Sequence, residues 1–181
     1  MALKGKQIVL GVTGGIAAYK SAELVRLLVK KGACVNVVMT KHACQFITPL
    51  TMQTLSKNPV GVEMFDYQQR TEIEHIGLAD KADILIIAPA SANVIGKIAN
   101  GIADDLLSTV VMATKAPILI APSMNSNMYG NPIVQQNMKK LKVLGYHFAD
   151  PDSGELACGY KGVGRLTDLE KIIAQTEKLL K

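Results

Sequence analysis

Gln7-Ile8-Val9-Leu10-Gly11-Val12, running straight into Thr13-Gly14-Gly15-Ile16-Ala17-Ala18-Tyr19-Lys20, decides the fold class. A short and almost continuous apolar run reads as a strand buried on both faces, and such strands belong to parallel sheets covered by helices. The glycines that follow mark a tight turn. Leu24, Leu27 and Leu28, with charges between them, predict a helix over Ile16–Lys31. A strand, a glycine-rich turn and a helix open a doubly wound α/β sheet.

The alternation continues along the chain. Apolar runs at Cys34–Met39, Ile84–Ala88 and Ile118–Ala121, with weaker ones at Val60–Met64 and Tyr146–Ala149, predict about six strands in all. Ala103–Lys115, which opens on Asp104-Asp105, reads as a helix, as do Pro132–Leu144 and Asp168–Leu180. The expected architecture is a three-layer α/β/α Rossmann-like fold with a mostly parallel sheet, as a single domain over residues 1–181. Two segments follow neither period. Phe65–Glu74 is polar and loop-like. Pro151–Arg165 is glycine-rich and long enough to serve as a lid.

Composition narrows the function. The chain has 181 residues and is 49% hydrophobic, enough for a real core. Aromatics make up 4% and Trp is absent, which argues against a nucleic-acid surface built on base stacking. The net charge of +5 is spread along the chain, with no basic cluster. No apolar stretch approaches the roughly 20 residues that span a bilayer, and the N-terminus leads into a strand and not a secretion signal. Neither a nucleic acid nor a membrane is therefore expected as partner. Cys34, Cys44 and Cys158 form no C-x-x-C pair, and their odd number argues against a disulfide framework, so a cytoplasmic location is expected. His42, His75 and His147 lack ligand spacing, and no metal is expected.

Ligands bind at the C-terminal edge of open parallel sheets, and the informative residues fall there. The turn after the first strand brings a helix N-terminus, whose N–H groups and positive dipole suit phosphate. Its spacing is not G-x-G-x-x-G. The second strand ends in Met39-Thr40-Lys41, with no acid for a ribose diol, so a mononucleotide such as FMN is favoured over NAD. In Ala88-Pro89-Ala90-Ser91-Ala92-Asn93-Val94, Ser91 suits either a helix cap or a ligand contact. After the strand Ile118–Ala121, Pro122-Ser123-Met124-Asn125-Ser126-Asn127-Met128-Tyr129 carries more amide and thioether groups than a turn needs. His75 leads a short helix out of the polar loop; it reads as a general base or as a satisfied structural histidine. Cys158 sits between glycines, with Lys161 and Arg165 nearby, the setting of a reactive thiol. Cys34 and Cys44 read as packing residues.

These segments together resemble the flavin-containing cysteine decarboxylase family, over about Lys6 to Arg165. The matching residues are His75-Ile76; Ser91-Ala92-Asn93; Pro122, Met124, Asn125 and Met128; and Leu156-Ala157-Cys158-Gly159 with Gly162 and Gly164. Tyr129 stands where the family motif usually has Trp, and Val94 where it often has Thr. The resemblance implies FMN held by Gly14, Gly15, Ile16, Thr40, Ser91, Ala92, Asn93 and Ser123. It implies His75 as the base in cysteine oxidation, Asn125 as the substrate-carboxylate ligand and Cys158 as the donor that finishes the reaction, with Met128, Ala157 and Lys161 as further substrate contacts. The implied reaction is decarboxylation of 4'-phosphopantothenoylcysteine to 4'-phosphopantetheine, a step of coenzyme A biosynthesis. The implied partners are further copies of the chain, in a trimer or dodecamer, and a separate phosphopantothenate–cysteine ligase. Two relatives of the same family offer alternatives: a peptidyl-cysteine decarboxylase that stops at the ene-thiol, and a non-catalytic flavin-binding regulator. Cys158 favours the decarboxylation to 4'-phosphopantetheine over both, because a saturated thiol product requires a final reduction.

Overall fold

A computed structural model of the protein describes residues 3–65, 74–155, 159 and 161–181. Ala157 and Cys158, and most of the loop expected at Phe65–Glu74, lie outside the described residues. Six strands form one sheet: β1 (Gln7–Val12), β2 (Cys34–Met39), β3 (Val60–Gly61), β4 (Ile84–Ala90), β5 (Ile118–Pro122) and β6 (His147–Phe148). Their order is β3-β2-β1-β4-β5-β6, and every pairing is parallel. The order reverses between β1 and β4, which opens a crevice at their C-terminal ends.

Alternation along the strands builds two cores. Ile8, Leu10 and Val12 of β1 pack with α1 (Ala18–Lys30), α2 (Pro49–Ser56) and α8 (Leu169–Leu179) through Leu24, Leu28, Met52 and Ile172. Val9 and the alternate residues of β4 and β5 face α3 (Glu74–Lys81), α4 (Ala92–Ala99), α5 (Leu106–Ala113) and α7 (Pro132–Val143). The three-layer expectation is met, and the strands read as continuous apolar runs because both faces are covered. Among the described residues, no helix is long and apolar enough to cross a membrane.

Several boundaries differ from the sequence reading. α1 begins at Ala18, two residues after the expected start, because Ile16 and Ala17 complete the turn. The helix expected from Ala103 begins at Leu106, with Asp105 as its cap. α2 went unread, although Thr48 accepts a hydrogen bond from Thr51 N–H and Pro49 occupies the first turn, the usual signs of a helix start. The largest correction concerns Pro151–Arg165, which has strands after all. β7 (Asp152–Glu155) and β8 (Lys161–Arg165) form an antiparallel ribbon pairing Ser153 with Val163 and Glu155 with Lys161. It lacks the apolar alternation of a strand because it packs through its backbone and not against the core.

Candidate functional site

The crevice is tied together by hydrogen bonds just beyond the strand ends. Thr13 is fully buried; its hydroxyl donates to Pro89 O at 2.7 Å and accepts from Ser91 N–H at 2.9 Å. Ser21, also buried, donates to Ala88 O at 2.7 Å. Ser123 N–H donates to Ala90 O at 3.0 Å. The ends of β1, β4 and β5 are thereby held in one frame.

Two clefts open from this frame, of about 1000 and 940 Å³. Gly14, Ser91, Ala92 and Met128 line both. The first adds Gly15, Ile16, Lys20, Ser123 and Asn125, with Glu155, Gly159 and Arg165 from the ribbon side. The second adds Thr40, His42, Phe46 and Asn93. All eight residues expected to hold FMN therefore line one cleft or the other. Thr13, which braces their backbone, and Lys20 were assigned no role from sequence. A fully buried hydroxyl bonding across 76 positions leaves no local signal.

Helix termini show where an anion fits. Side chains cap α2, α4, α5, α7 and α8, and also the short α6 (Ser126–Tyr129). The N-terminus of α1 has no side-chain cap, and it opens on the first cleft. Ala18 N–H donates to Gly15 O and Lys20 N–H to Ala17 O in the turn, and the positive end of the helix dipole, with no capping side chain over it, suits phosphate. The hydroxyls and amides of Ser91, Thr40 and Asn93, with apolar Ile16, Phe46 and Met128, suit the rest of a flavin mononucleotide. Gly14, which lines both clefts, also meets a packing demand that the sequence did not reveal. A Cβ there would collide with His42, so the close approach is to the chain's own loop, whereas Gly15 faces open space. The cap reading of Ser91 holds, since its hydroxyl accepts from Val94 N–H at 3.4 Å, and the residue also lines both clefts.

Asn125 ends the β5 loop and caps α6, its Oδ1 accepting from Asn127 N–H at 2.8 Å. It lines the first cleft beside Met128. The two departures from the family motif fall on packing: the Val94 side chain is buried in the core, and Tyr129 packs partly buried against it. Burial pushes the Tyr129 phenol up, and the Asp150 carboxylate adds to this.

The ribbon forms the outer wall of the first cleft. Met124 N–H donates to Gly164 O at 2.9 Å. A Cβ on Gly164 would run into Met124 O, and one on Gly162 would lie 2.8 Å from Ser126 Cβ. These glycines let β8 lie directly on the Asn125 loop. Glu155 and Gly159, which flank Cys158 in the chain, both line the cleft. Lys161 is exposed at the start of β8, and His75 is half-buried on α3. Neither is among the described residues lining the two clefts. The buried Nδ1 of His75 has no hydrogen-bond partner among the described residues.

On the wall of the second cleft, Lys97 pairs with Asp104 at 2.7 Å and with Asp105 at 2.8 Å. Asp105 also caps α5 in a reciprocal box with Ser108. Burial alone would raise the Asp105 carboxyl, but Lys97 and Ser108 outweigh it and hold the group below the usual carboxylate range. Burial would likewise lower Lys97, yet its two carboxylate partners raise it.

A doubly wound sheet with a mononucleotide-sized site at its switch point and an uncapped helix N-terminus defines a nucleotide-binding α/β protein. A family model described as Flavoprotein matches residues 1–181, and the chain belongs to that family. Coenzyme A biosynthesis bifunctional protein CoaBC of Bacillus subtilis is 50% identical over 97% of this chain, which spans 43% of that relative's length. A probable phosphopantothenoylcysteine decarboxylase of Streptococcus mutans is 48% identical over 97% of this chain and 99% of its own. Among solved structures, a mutant PPC decarboxylase complexed with pantothenoylaminoethenethiol superposes with a TM-score of 0.86 at 29% identity, covering 97% of this chain and 98% of its own. The FMN-dependent cysteine decarboxylase SpaF does so with 0.85 at 27% identity, covering 99% of each chain.

Proposed function

We propose that this chain decarboxylates 4'-phosphopantothenoylcysteine to 4'-phosphopantetheine with FMN as cofactor, in coenzyme A biosynthesis. The observation that carries this reading is the composition of one cleft. It joins the glycine turn of β1, Asn125 at the end of β5, and Glu155 and Gly159, which lie on either side of Cys158 in the sequence. The close relatives named for coenzyme A biosynthesis and for this decarboxylation support it.

Loss of CO2 from a cysteinyl carboxylate leaves a carbanion with no electron sink. Bound FMN supplies the two-electron oxidation of the thiol-bearing carbon and later returns the electrons. Oxidation of CH2–SH to CH=S puts a C=S group β to the carboxylate, so the electrons released with CO2 have a place to go. The resulting ene-thiolate gains two electrons and two protons to give the saturated thiolate, which takes up a further proton as the thiol, and the net redox change is zero. An ene-thiol of this kind is the ligand in the solved PPC decarboxylase complex.

The chain's own residues position the substrate and move protons. Oδ1 of Asn125 is engaged with Asn127 N–H, which orients the carboxamide so that its NH2 end serves the substrate carboxylate. His75 acts as the base in the oxidation, and Cys158 delivers the proton in the final reduction. Met128 and Ala157 complete the substrate contacts. The assembly is a trimer or dodecamer of this chain in the cytoplasm, and exposed Ile16, Tyr19, Phe46 and Phe65 are the apolar surface it would cover. In such an assembly His75 on α3 meets the cleft of a neighbouring copy. A phosphopantothenate–cysteine ligase supplies the substrate.

The test is to incubate the purified flavin-loaded protein with 4'-phosphopantothenoylcysteine and resolve the products by mass. Loss of CO2 alone is expected. With Cys158→Ser, the expected product is two hydrogens lighter. Loss of CO2 and two hydrogens by the unsubstituted protein would point to the peptidyl-cysteine type of chemistry, and no turnover would favour a flavin-binding regulator.

A further inference from the structure

A third groove of about 520 Å³ runs between α1 and the segment joining β8 to α8, and it adjoins the first cleft. Tyr19, Lys20, Arg165 and Leu166 line both. The charges in this groove are unevenly matched. Glu23 pairs with Arg26 at 3.3 Å, and Asp152 pairs with Lys171 at 2.7 Å. Asp152 also accepts from Asp168 N–H, and Asp168 caps α8 through Glu170 N–H. Each acid is thus engaged. Lys20 is half-buried, and neither it nor Arg165 makes an ion pair or side-chain hydrogen bond among the described residues. Two cations outside any ion pair among the described residues therefore stand where the cleft becomes the groove, with Glu155 the carboxylate that shares the first cleft with them.

We propose that Lys20 and Arg165 bind the terminal phosphate of the substrate and set its preference for a phosphorylated chain. The inference rests on the proposed decarboxylation and goes on to assign the far end of the substrate. About eleven bonds separate phosphorus from the cysteinyl Cα, roughly 12 Å at the rise of an extended peptide chain. A carboxylate held at Asn125 thus puts the phosphate well away from the reacting carbon, further along the cleft. Lys20 projects from the inner wall, one turn into α1, and Arg165 from the ribbon. A phosphate between them would be gripped from both sides, and its charge would fix the ribbon against the α1 wall. A guanidinium fork and an ammonium point charge are a common pair for a phosphate monoester. Lys161, named from sequence for the substrate, is exposed and lines neither space.

The experiment compares 4'-phosphopantothenoylcysteine with its dephosphorylated form in the flavin-loaded protein, with Lys20→Gln, Arg165→Gln and the double variant. The unsubstituted protein should favour the phosphorylated substrate through KM. Each single variant should raise that KM about tenfold to a hundredfold, the scale of one charge-assisted hydrogen bond. The double variant should treat both substrates alike. Bound flavin, measured by absorbance, should stay at its original ratio to protein. Isothermal titration with 4'-phosphopantothenate and with pantothenate gives the same comparison without turnover. A phosphate preference that survives in the double variant overturns the assignment, and so does loss of flavin from Lys20→Gln, which would place Lys20 on the cofactor. Absence of turnover in the unsubstituted protein would instead defeat the decarboxylase reading itself.

Discussion

The two walls of the first cleft are built by different means. The inner wall, at the ends of β1 and β4, is held by buried side-chain hydrogen bonds, with Thr13 bridging Pro89 and Ser91. The outer wall, the β7–β8 ribbon, is held among the described residues by a backbone bond from Met124 to Gly164, by glycines that allow contact with the Asn125 loop, and at its outer end by Asp152, which meets Lys171 and Asp168 N–H at the surface. A wall locked into the core keeps its shape whether or not a ligand is bound. A wall resting on backbone contacts can separate from the rest without unfolding it. A fixed cofactor wall facing a separable substrate wall suits a reaction that retains its flavin and exchanges its substrate.

The sharpest way to break the comparison is Gly164→Ala. The added Cβ meets Met124 O, and φ of +150° is poorly suited to alanine. The ribbon must lift, and kcat/KM should fall about a hundredfold, as expected when a positioning element shifts by about 1 Å. The melting temperature should stay within a few degrees of the original. Equal loss of stability and activity would show that the ribbon belongs to the core.

Thr13→Val tests the other wall. It preserves volume but strands Pro89 O and Ser91 N–H in a buried site. Urea unfolding should lose about 2–3 kcal/mol, with weaker flavin retention, and Thr13→Ser should restore most of both. Full stability in the valine variant would remove the distinction between the walls.

The smallest expected effect lies on the wall of the second cleft. Asp105→Ala removes a helix cap worth about 1 kcal/mol. The Asp105 carboxyl is held below its ordinary range, so its contribution is present above the unfolded carboxylate pKa near 4 and is lost as pH falls through the lower folded value. The stability gap between the two proteins, measured by urea unfolding, should therefore be constant from pH 7 to 5 and narrow progressively as pH falls below about 4. A gap that did not narrow at all on acidification would show that the cap acts independently of the charge.

The sequence by itself determined the layered parallel sheet and the edge that carries the site. Strands covered on both faces are written as apolar runs, and ligand-facing turns depart abruptly from them, as Thr13-Gly14-Gly15 and Ser123-Met124-Asn125 do. The helix over Ala92–Ala99 was legible at its start because Ser91 is a local cap. The ribbon was not legible, because its strands are specified by what they rest on, and glycines at 154, 162 and 164 look the same in a loop. The role of Gly14 was likewise hidden, since only the folded chain brings His42 against it. The two cations left outside any ion pair among the described residues were decided by tertiary structure alone. Whether Lys20 or Arg165 has a counter-charge depends on where Glu23 and Asp152 find their partners, and Lys171 reaches Asp152 across 19 positions of chain. Local patterns record burial and capping, which act over a turn or a strand; charge balance at a cleft depends on long-range contacts that no local pattern contains.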